Sequence, residues 1–334
     1  MPRVSIIVVN YNGKGIITGC LKSLEAQSFK DFEALIIDNG SSDDSLNEIQ
    51  DFVKETAIAP SIKLIPIDKN LGFAGGNLEG FRSAKGEYIA LLNTDTEPGE
   101  KWLEELVMAM DSDPGAGICA SKLVVYGTDI IDSAGDGFSR FLKGLKRGEG
   151  EKILSYNQKG YIFGACAAAA LYRRRMIEEV GFLDEDFFLI HEDTDLNFRA
   201  HLYGWKVLYV PEAVVYHKVR STIGSMSDTA IYYTLRNTEF VRIKNIPFAV
   251  FQRCLVEFFI KTILEFIYFA LKHRKLKLYF RAKIDALKML PKMLEKRKII
   301  MKNRKADNRY LLSLMTPAWE MDFLKSKIDK FLNS

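Results

Sequence analysis

The sequence is poor in cysteine, and the cysteines it has stand far apart. Its 334 residues include four, Cys20, Cys119, Cys166 and Cys254, which form no CxxC pair and no Cys/His cluster. This spacing argues against a disulfide framework and a zinc site, and it favours a reducing, cytoplasmic setting. A long apolar run is also missing near the N-terminus, because the run at residues 4–9 stops at polar Asn10. So short a run is not the core of a signal peptide, and it predicts a strand.

The common nucleotide-binding signatures are absent too. The glycine-rich segment at residues 70–77 is neither a Walker loop nor a GxGxxG motif, which argues against an NTPase or a dehydrogenase. Its glycines still allow the backbone to approach a ligand closely, and a helix starting there would present N–H groups to a phosphate. We therefore expect Gly72, Phe73 and Asn77 to contribute to a donor site.

The composition, 48% hydrophobic and 27% charged, is typical of one large or two modest globular domains. Short β-rich runs alternate with helix-like stretches over the first third of the chain. The strands are expected at 4–9, 32–38, 62–66 and 88–92, and the helices at 16–26, 45–56, 74–83 and 101–110. This βαβ pattern predicts a mostly parallel, Rossmann-like sheet with helices on both faces, which binds ligands beyond the carboxyl ends of its strands.

Polar clusters follow the predicted strands and are expected to meet in one crevice. The first is Asn10-Tyr11-Asn12, and Asp38 follows the second strand. A carboxylate at a strand end can accept a hydrogen bond from a ribose hydroxyl or a base N–H. An Asx turn or a helix cap fits Asp38 as well.

The fourth strand ends in oxygen-bearing side chains, Asn93-Thr94-Asp95. Magnesium is commonly held by one or two carboxylates together with substrate phosphates, so this strand end predicts a metal-assisted nucleotide site. The alternative is the capped start of a helix with Pro98 in its first turn. His217, at the end of a later apolar run, is a candidate to complete a metal site with Asp95, although a structural histidine is also consistent with the pattern.

An acidic cluster, Glu192-Asp193-Thr194-Asp195, precedes a predicted helix. A general base for a sugar hydroxyl must be an ionised carboxylate within hydrogen-bond reach, and the dipole at a helix N-terminus stabilises that form. One of these acids is therefore a candidate base. Helix capping, with Arg199 as ion partner, is the other interpretation and suits Asp195 best.

Taken in order, these segments resemble family 2 glycosyltransferases with the GT-A fold, and in particular the bacterial rhamnosyltransferase-like members. The resemblance covers residues 4–12, 36–45, 70–80, 90–98, 164–174 and 182–217. It implies an inverting, single-displacement transfer of a hexose such as rhamnose from a nucleotide-diphosphate sugar, with Mg²⁺ or Mn²⁺ on the pyrophosphate. We expect a GT-A domain at residues 1–225 and a C-terminal helical region at 226–334.

The resemblance also implies roles for single residues. Asp38 resembles the nucleoside-binding acid, and Asp95 resembles the metal-binding last position of the DXD motif, whose first position is Asn93 here. Asp193 resembles the catalytic base of the family's ED pair, with Glu192 beside it, and His217 resembles a histidine that joins the metal in some members. The remaining expected donor contacts are Asn10, Tyr11, Asn12, Gly72, Phe73, Asn77 and Thr94.

The C-terminal third has a different character. Residues 246–271 are almost continuously apolar, but Arg253, Glu257, Lys261 and Glu265 recur every four residues on one helical stripe. Four charges are too costly for a bilayer-spanning helix. The pattern therefore predicts a helix that is buried over most of its circumference or lies in the membrane interface.

A strongly basic stretch follows this helix. Residues 272–305 contain fourteen Lys or Arg and two acids, a net charge of +12 in a chain of +4, so the rest of the chain carries −8. Such a stretch suits anionic lipid headgroups, and a solvated basic face is the alternative. Nucleic acid is not expected, because no binding motif accompanies the charge.

The predicted enzyme thus binds peripherally to the inner face of the cell membrane and uses a lipid-linked or polysaccharide acceptor. Two other functions fit less of the sequence. A nucleotidyltransferase of similar fold would release pyrophosphate, and a non-catalytic nucleotide-sugar-binding or scaffold protein would transfer nothing.

Overall fold

The computed structural model describes residues 1–58, 61–219 and 227–317. Within these ranges the fold centres on a ten-stranded mixed sheet. Its strands are β1 (Val4–Asn10), β2 (Phe32–Asn39), β3 (Ile62–Ile67), β4 (Tyr88–Asn93), β5 (Thr96–Pro98), β6 (Ala116–Val125), β7 (Ile131–Ser133), β10 (Gly160–Ile162), β11 (Ala169–Arg173) and β12 (Lys206–His217). A small second sheet joins β8 (Asp136–Ser139), β9 (Lys143–Lys146) and β13 (Met315–Thr316).

The main sheet runs in the order β10-β12-β6-β11-β4-β1-β2-β3, with β5 on β12 and β7 on β6. The predicted parallel unit is confirmed, because β1 pairs in parallel with β2 and β4, and β2 with β3. Strand β11 is antiparallel to both of its neighbours. Parallel pairing brings Asn10 beside Asp38 and Val9 beside Asn93, so the polar strand ends share one edge.

Helices cover both faces of the sheet, as expected. In the first 217 residues they are α1 (Ile17–Glu25), α2 (Ser45–Glu55), α3 (Gly72–Ser83), α4 (Trp102–Ser112), α5 (Arg174–Val180) and α6 (Glu192–Leu202), with a 3₁₀ turn at Glu185–Phe187. Apolar residues of α1, α2 and α4 form one core, and those of α3, α5 and α6 form the other. Burial of apolar surface on both faces accounts for the nearly continuous apolar composition of the central strands.

The C-terminal region is helical, as predicted. It contains α7 (Asp228–Asn245), α8 (Phe248–Arg253), α9 (Leu255–Phe266), a π-helical segment (Ile267–Lys272), α10 (Leu276–Lys288), α11 (Leu290–Lys302) and α12 (Asn308–Ser313). Phe240, Val250, Met293 and Ile300 extend the core that lies under α3 and α6. The expected boundary at residues 225 and 226, and residues 318–334, lie outside the described residues.

Strand β12 continues through Pro211 to His217, with an irregularity between Val210 and Val214. Two predictions for the apolar stretch need correction. The apolar stretch 246–271 is not one helix but α8, α9 and the π-helical segment. It is also not buried over most of its circumference, since Val256, Phe259 and Ile263 are exposed. Among the described residues, no helix combines the length and apolar character needed to cross a bilayer.

Candidate active site

The residues expected to bind the nucleoside lie at the carboxyl ends of β1 and β2. The side-chain amide of Asn10 donates to Asp38 Oδ1 at 2.8 Å, and both residues are buried. The same amide lies 2.9 Å from Ser45 Oγ at the start of α2. Asp38 lies within β2, and α2 begins only at Ser45, so Asp38 does not cap that helix. Its carboxylate is oriented by Asn10 at the strand edge where the donor was expected.

The rim of this end is formed by the two residues after β1. Tyr11 is 40% exposed. Asn12 has a positive φ of 53° and accepts a hydrogen bond from the backbone N–H of Ser42 at 2.8 Å. Tyr11 and Asn12 thus stay accessible beside Asp38, as a contact to a nucleoside requires.

The start of α3 differs from the prediction. The N–H of Leu71 donates to Asn39 Oδ1 at 2.9 Å, and the N–H of Gly72 donates to Asn70 Oδ1 at 2.7 Å. The N–H of Ala74 donates to the carbonyl of Phe188. These groups already have partners within the protein, so they do not point at a phosphate.

Position 72 requires glycine because of its backbone conformation and its close packing. Its φ is +72°, and a Cβ there would lie 2.4 Å from the carbonyl oxygen of Phe188. Phe73 beside it is partly buried. Asn77 is buried inside α3 and donates to the carbonyl of Phe73 at 2.9 Å, so the structure does not present its side chain to the crevice.

The Asn93-Thr94-Asp95 segment forms the turn between β4 and β5. The helix-cap interpretation is wrong, because β5 follows the turn and α4 begins only at Trp102. Thr94 and Asp95 are 9% and 7% exposed, and Asn93 is partly buried.

Asp95 faces His217 across the crevice. Its Oδ1 lies 3.5 Å from His217 Nε2, and His217 Nδ1 lies 2.9 Å from Asp132 Oδ2. Burial opposes protonation of His217, but its hydrogen bonds to Asp132 and Asp95 outweigh that effect and raise its pKa to about 9. Asp132 is itself paired with Lys146 at 2.6 Å.

This donor set fits a divalent cation. A carboxylate and an imidazole nitrogen already face the same point, and Asp132 orients the imidazole through its other nitrogen, which is the usual arrangement behind a metal-bound histidine. Two protein ligands are sufficient when substrate phosphates supply others. Asp95 and His217 are therefore the residues that would hold Mg²⁺ or Mn²⁺, with the cation replacing the shared proton.

The predicted base lies at the start of α6. Asp193 is partly buried and accepts hydrogen bonds from the N–H groups of Thr194 at 2.6 Å and Ala167 at 3.3 Å. Burial raises its pKa above the ordinary carboxylic value. A carboxylate whose pKa is moved towards neutrality is better matched to general-base catalysis than an ordinary one.

Asp136 and Cys166 stand beside this base. Potential ligand atoms of Asp136, Cys166 and Asp193 all lie within 4.8 Å of one another. Burial and the two carboxyl groups raise the pKa of the Cys166 thiol well above its usual value. Mg²⁺ and Mn²⁺ prefer oxygen ligands, so a set that includes a thiol is not the one expected for them.

Glu192, the other expected catalytic residue, is in a less accessible position. It is 6% exposed, and its Oε2 has no hydrogen-bond partner within the described residues. Burial and the neighbouring Asp193 raise its pKa well above the ordinary carboxylic value. Burial thus favours the neutral form of Glu192.

The start of α6 is held by α7. Phe188, Ile190 and His191, just before the acidic pair, have positive φ values of 65°, 67° and 72°, which non-glycine residues rarely adopt. The amide nitrogen of Asn237 lies 2.7–2.9 Å from three carbonyl oxygens of this loop. The C-terminal helices thus fix the position of the base.

The structure gathers most of the predicted residues and adds three that the sequence reasoning missed. Asn10, Asp38, Asp95, His217, Asp193 and Glu192 lie on the edge formed by β1, β2, β4, β12 and α6. The missed residues are Asp132, Asp136 and Lys146, from β7, β8 and β9. Their sequence signals are a stretch of Gly and Asp near residues 126–137, which contains the two acids, and a basic, Gly-containing stretch at 140–152, which contains Lys146. Lys146 connects the surroundings of His217 with those of Asp193, since it pairs with Asp132 and its charge also acts on Asp136.

We expect Asp136→Asn to gain thermal stability relative to the unmodified protein as the pH rises from about 5 to about 8. Burial, then the charge of Asp193, raises the pKa of Asp136 to about 8, while Lys146 opposes this and Asp132 adds to it. The native state keeps a proton that the unfolded chain releases, so this contribution to stability is complete below the ordinary carboxylic pKa and is lost as the pH rises towards 8. Asparagine has no such proton. Melting temperatures at the two pH values test this.

The matched control is Asp129→Asn, which alters an exposed acid paired with Lys152 at 3.8 Å. Its melting temperature should differ from that of the unmodified protein by the same small amount at both pH values. A pH-independent difference for Asp136→Asn would contradict a raised pKa.

Comparison with known proteins gives a consistent result. The family model described as glycosyl transferase family 2 matches residues 5–181. The chain is 24% identical over 225 residues to poly-beta-1,6-N-acetyl-D-glucosamine synthase of Staphylococcus epidermidis, an alignment that covers 67% of this chain and 52% of that protein. It is 26% identical over 251 residues to N-acetylglucosaminyl-diphospho-decaprenol L-rhamnosyltransferase of Mycobacterium tuberculosis, covering 65% of this chain and 76% of that one. The chain thus spans about half the length of the synthase.

Solved structures show the same fold. S. aureus TarS 1-349 in complex with UDP-GlcNAc aligns with a TM-score of 0.57 and 17% identity over 91% of this chain and 89% of that one. GalNAc-T7 with UDP, GalNAc and Mn²⁺ aligns with a TM-score of 0.61 and 17% identity over 73% of this chain and 48% of that one. Both neighbours have the GT-A-like sheet described above.

Proposed function

Because the chain belongs to glycosyl transferase family 2, we propose that it transfers a hexose from a nucleotide-diphosphate sugar to a hydroxyl of an acceptor, with inversion at the anomeric carbon. One observation carries the proposal. Asp95 lies 3.5 Å from His217, which pairs with Asp132, and Asp132 pairs with Lys146. Lys146 also interacts electrostatically with Asp136 and Cys166, whose ligand atoms lie within 4.8 Å of the partly exposed carboxylate of Asp193.

The proposed reaction is a single displacement. Asp193 accepts the proton of the acceptor hydroxyl, the hydroxyl oxygen bonds to the anomeric carbon, and the bond from that carbon to the diphosphate oxygen breaks. The leaving group is the nucleoside diphosphate. Asp38 and Asn10 hold the nucleoside. The sugar would then lie between these residues and Asp193. When bound at Asp95 and His217, Mg²⁺ or Mn²⁺ would neutralise charge on the departing diphosphate.

The proposed sugar rests on the relatives and on Asn93. The likeness to the mycobacterial rhamnosyltransferase, together with Asn93 in place of a first motif carboxylate, favours rhamnose, whereas the TarS complex makes UDP-GlcNAc the other donor to test. We propose a lipid-linked or polysaccharide acceptor at the inner face of the cell membrane, where the protein would be peripherally bound.

A thermal-shift screen of nucleotide sugars with and without Mn²⁺ tests donor and metal together. The correct donor with Mn²⁺ should stabilise the protein by about 2.7 kcal/mol at a hundredfold excess over Kd. In Asp95→Asn the Mn²⁺-dependent part of the shift should vanish, because the carboxylate that faces His217 is gone. The exposed Asp129→Asn variant should retain the full shift.

Product analysis with the stabilising donor then decides the reaction. A released nucleoside diphosphate and a glycosylated acceptor of inverted configuration are expected. Release of pyrophosphate would replace the proposal by a nucleotidyltransferase. Binding without turnover of any acceptor would instead support a non-catalytic nucleotide-sugar-binding protein.

A further inference from the structure

Helix α9 has its charged side chains inside and its apolar side chains outside. Glu257, Lys261 and Glu265 are 3%, 8% and 6% exposed. On the opposite side, Phe259 and Ile263 are 57% and 60% exposed. A surface helix in water normally has the reverse arrangement, with its apolar stripe towards the core.

The exposed side of α9 continues into the π-helical segment and α10. We call this surface the outward apolar face, and it consists of Leu255, Val256, Phe259, Ile260, Ile263, Leu264, Ile267, Leu271, Leu276, Phe280, Ile284 and Leu287. The aromatic contact between Phe266 and Phe280, 6.2 Å between ring centroids, joins the two helices. Single exposed apolar residues are ordinary, but a continuous surface of this kind marks an interaction site.

The orientation of α9 is fixed by ion pairs with two other helices. Glu265 pairs with Lys261 and, at 2.8 Å, with Lys283 of α10. Lys283 also pairs at 2.6 Å with Glu239 of α7, which in turn binds Arg242. Rotating α9 to bury its apolar side would break this network and leave buried charges unpaired, which is strongly unfavourable. The ion pairs therefore keep the outward apolar face exposed in the folded protein.

Basic side chains border this face. Lys272, Arg274, Lys277, Arg281 and Lys288 are all exposed. Asp285 is the acid among them, and it lies 3.9 Å from Arg281 and 3.0 Å from Lys288. A second copy of the chain docked on the same face by a two-fold axis would bring two basic borders together. An apolar surface with a basic border instead complements a bilayer that has anionic headgroups.

We propose that the outward apolar face lies in the headgroup–acyl boundary of an anionic lipid bilayer, with the basic border against the headgroups. This extends the proposed function by giving its lipid-linked acceptor a surface, but the docking itself needs neither donor nor turnover. The inner side of α9 lies near His191, the residue just before Glu192 and Asp193. Lys261 and Glu265 are among the charged groups that shift the pKa of His191. An acceptor headgroup at the bilayer surface would thus be on the same part of the molecule as the base.

Vesicle co-flotation of the full chain tests the proposal. We expect binding to phosphatidylglycerol-containing vesicles, weaker binding at high salt, and little binding to pure phosphatidylcholine. Phe259→Ser combined with Ile263→Ser should reduce binding at least tenfold, because it removes buried acyl contacts. Lys277→Gln combined with Arg281→Gln should reduce it about fivefold for each charge removed.

The matched control is Met108→Ser combined with Leu154→Ser, which changes two side chains that are also exposed but lie on α4 and in the β9–β10 connection. It should bind vesicles like the unmodified protein. Because all of these side chains are exposed, the variants should keep their melting temperatures and their donor-induced thermal shifts, and light scattering should give one unchanged oligomeric state. Asp193→Asn should also bind vesicles normally, which separates failed docking from failed catalysis.

Three results would overturn the proposal. One is absence of binding to anionic vesicles, and the second is equal binding by the Phe259/Ile263 variant and the control. The third is a stable dimer that the Phe259/Ile263 substitutions dissociate without any vesicle binding, which would make the face a self-association surface.

Discussion

The Asp193→Asn variant is expected to lose about 10²- to 10⁴-fold in transfer rate, the usual size of a general-base contribution. Asparagine keeps the shape of the side chain and one oxygen, which can still accept from the N–H of Thr194, although the longer contact from the N–H of Ala167 to the second oxygen is lost. It cannot take the proton of an acceptor hydroxyl. Donor binding should remain, because Asp38 and Asp95 are unchanged, so the loss should appear in kcat and not in the donor-induced thermal shift.

Two neighbouring carboxyl groups provide the comparison. Glu192→Gln and Asp136→Asn should each cost less than Asp193→Asn, because Glu192 is more deeply buried than Asp193 and because burial raises the pKa of Asp136 to about 8. Steady-state rates of all three variants, measured with one donor at one pH, decide the assignment. A near-normal rate for Asp193→Asn, or a greater loss for either neighbour, would transfer the role of base to another residue.

The parallel part of the fold was predictable because its signals are local. Each strand of the first third ends in polar residues, and parallel pairing then brings Asn10, Asp38 and Asn93 to one edge without further information. The sequence left a helix cap open for Asp95, and the structure excludes it because β5 follows the turn. Local alternation and strand order were sufficient to predict which polar residues share this edge of the sheet.

The acceptor end was not predictable, because its residues come from irregular segments brought together by tertiary packing. Asp132 and Asp136 stand on short strands whose pairing depends on β6 and on the small sheet. Asn237, which holds the loop before α6, is about fifty residues from its partners. Nothing in the local sequence around Asp193 indicates these contacts.

The orientation of α9 also could not be predicted from the local sequence. The four-residue spacing predicted that Glu257, Lys261 and Glu265 share one side of a helix, and it does not say which side faces the protein. That choice depends on Lys283 and Glu239, which lie on other helices. Periodicity defines a stripe, whereas the partners of the stripe decide whether it is inside or outside.

The Lys244→Met variant is expected to destabilise the fold by about 3–5 kcal/mol, as happens when one partner of a buried ion pair is removed. The ammonium of Lys244, 2% exposed, lies 2.5 Å from Asp184 Oδ2 and 2.8 Å from Asp195 Oδ1. Methionine fills similar space but carries no charge. Asp184 then keeps Lys296 as a charged partner, and Asp195 keeps Arg199.

The pH dependence of this loss has a definite sign. Burial alone would raise the pKa values of Asp184 and Asp195, but Lys244, together with Lys296 at Asp184 and Arg199 at Asp195, outweighs it and lowers both. Stability from a carboxyl with a lowered pKa is present above its ordinary pKa and disappears as the pH falls through the lowered one. Denaturant unfolding should thus show the largest difference near neutral pH and a smaller one in acid. The control is Lys292→Met, whose half-exposed ammonium lies 2.6 Å from Asp186 and should contribute at most about 1 kcal/mol. Equal losses for the two variants would mean that burial of the Lys244 pair adds nothing to the cost of breaking it.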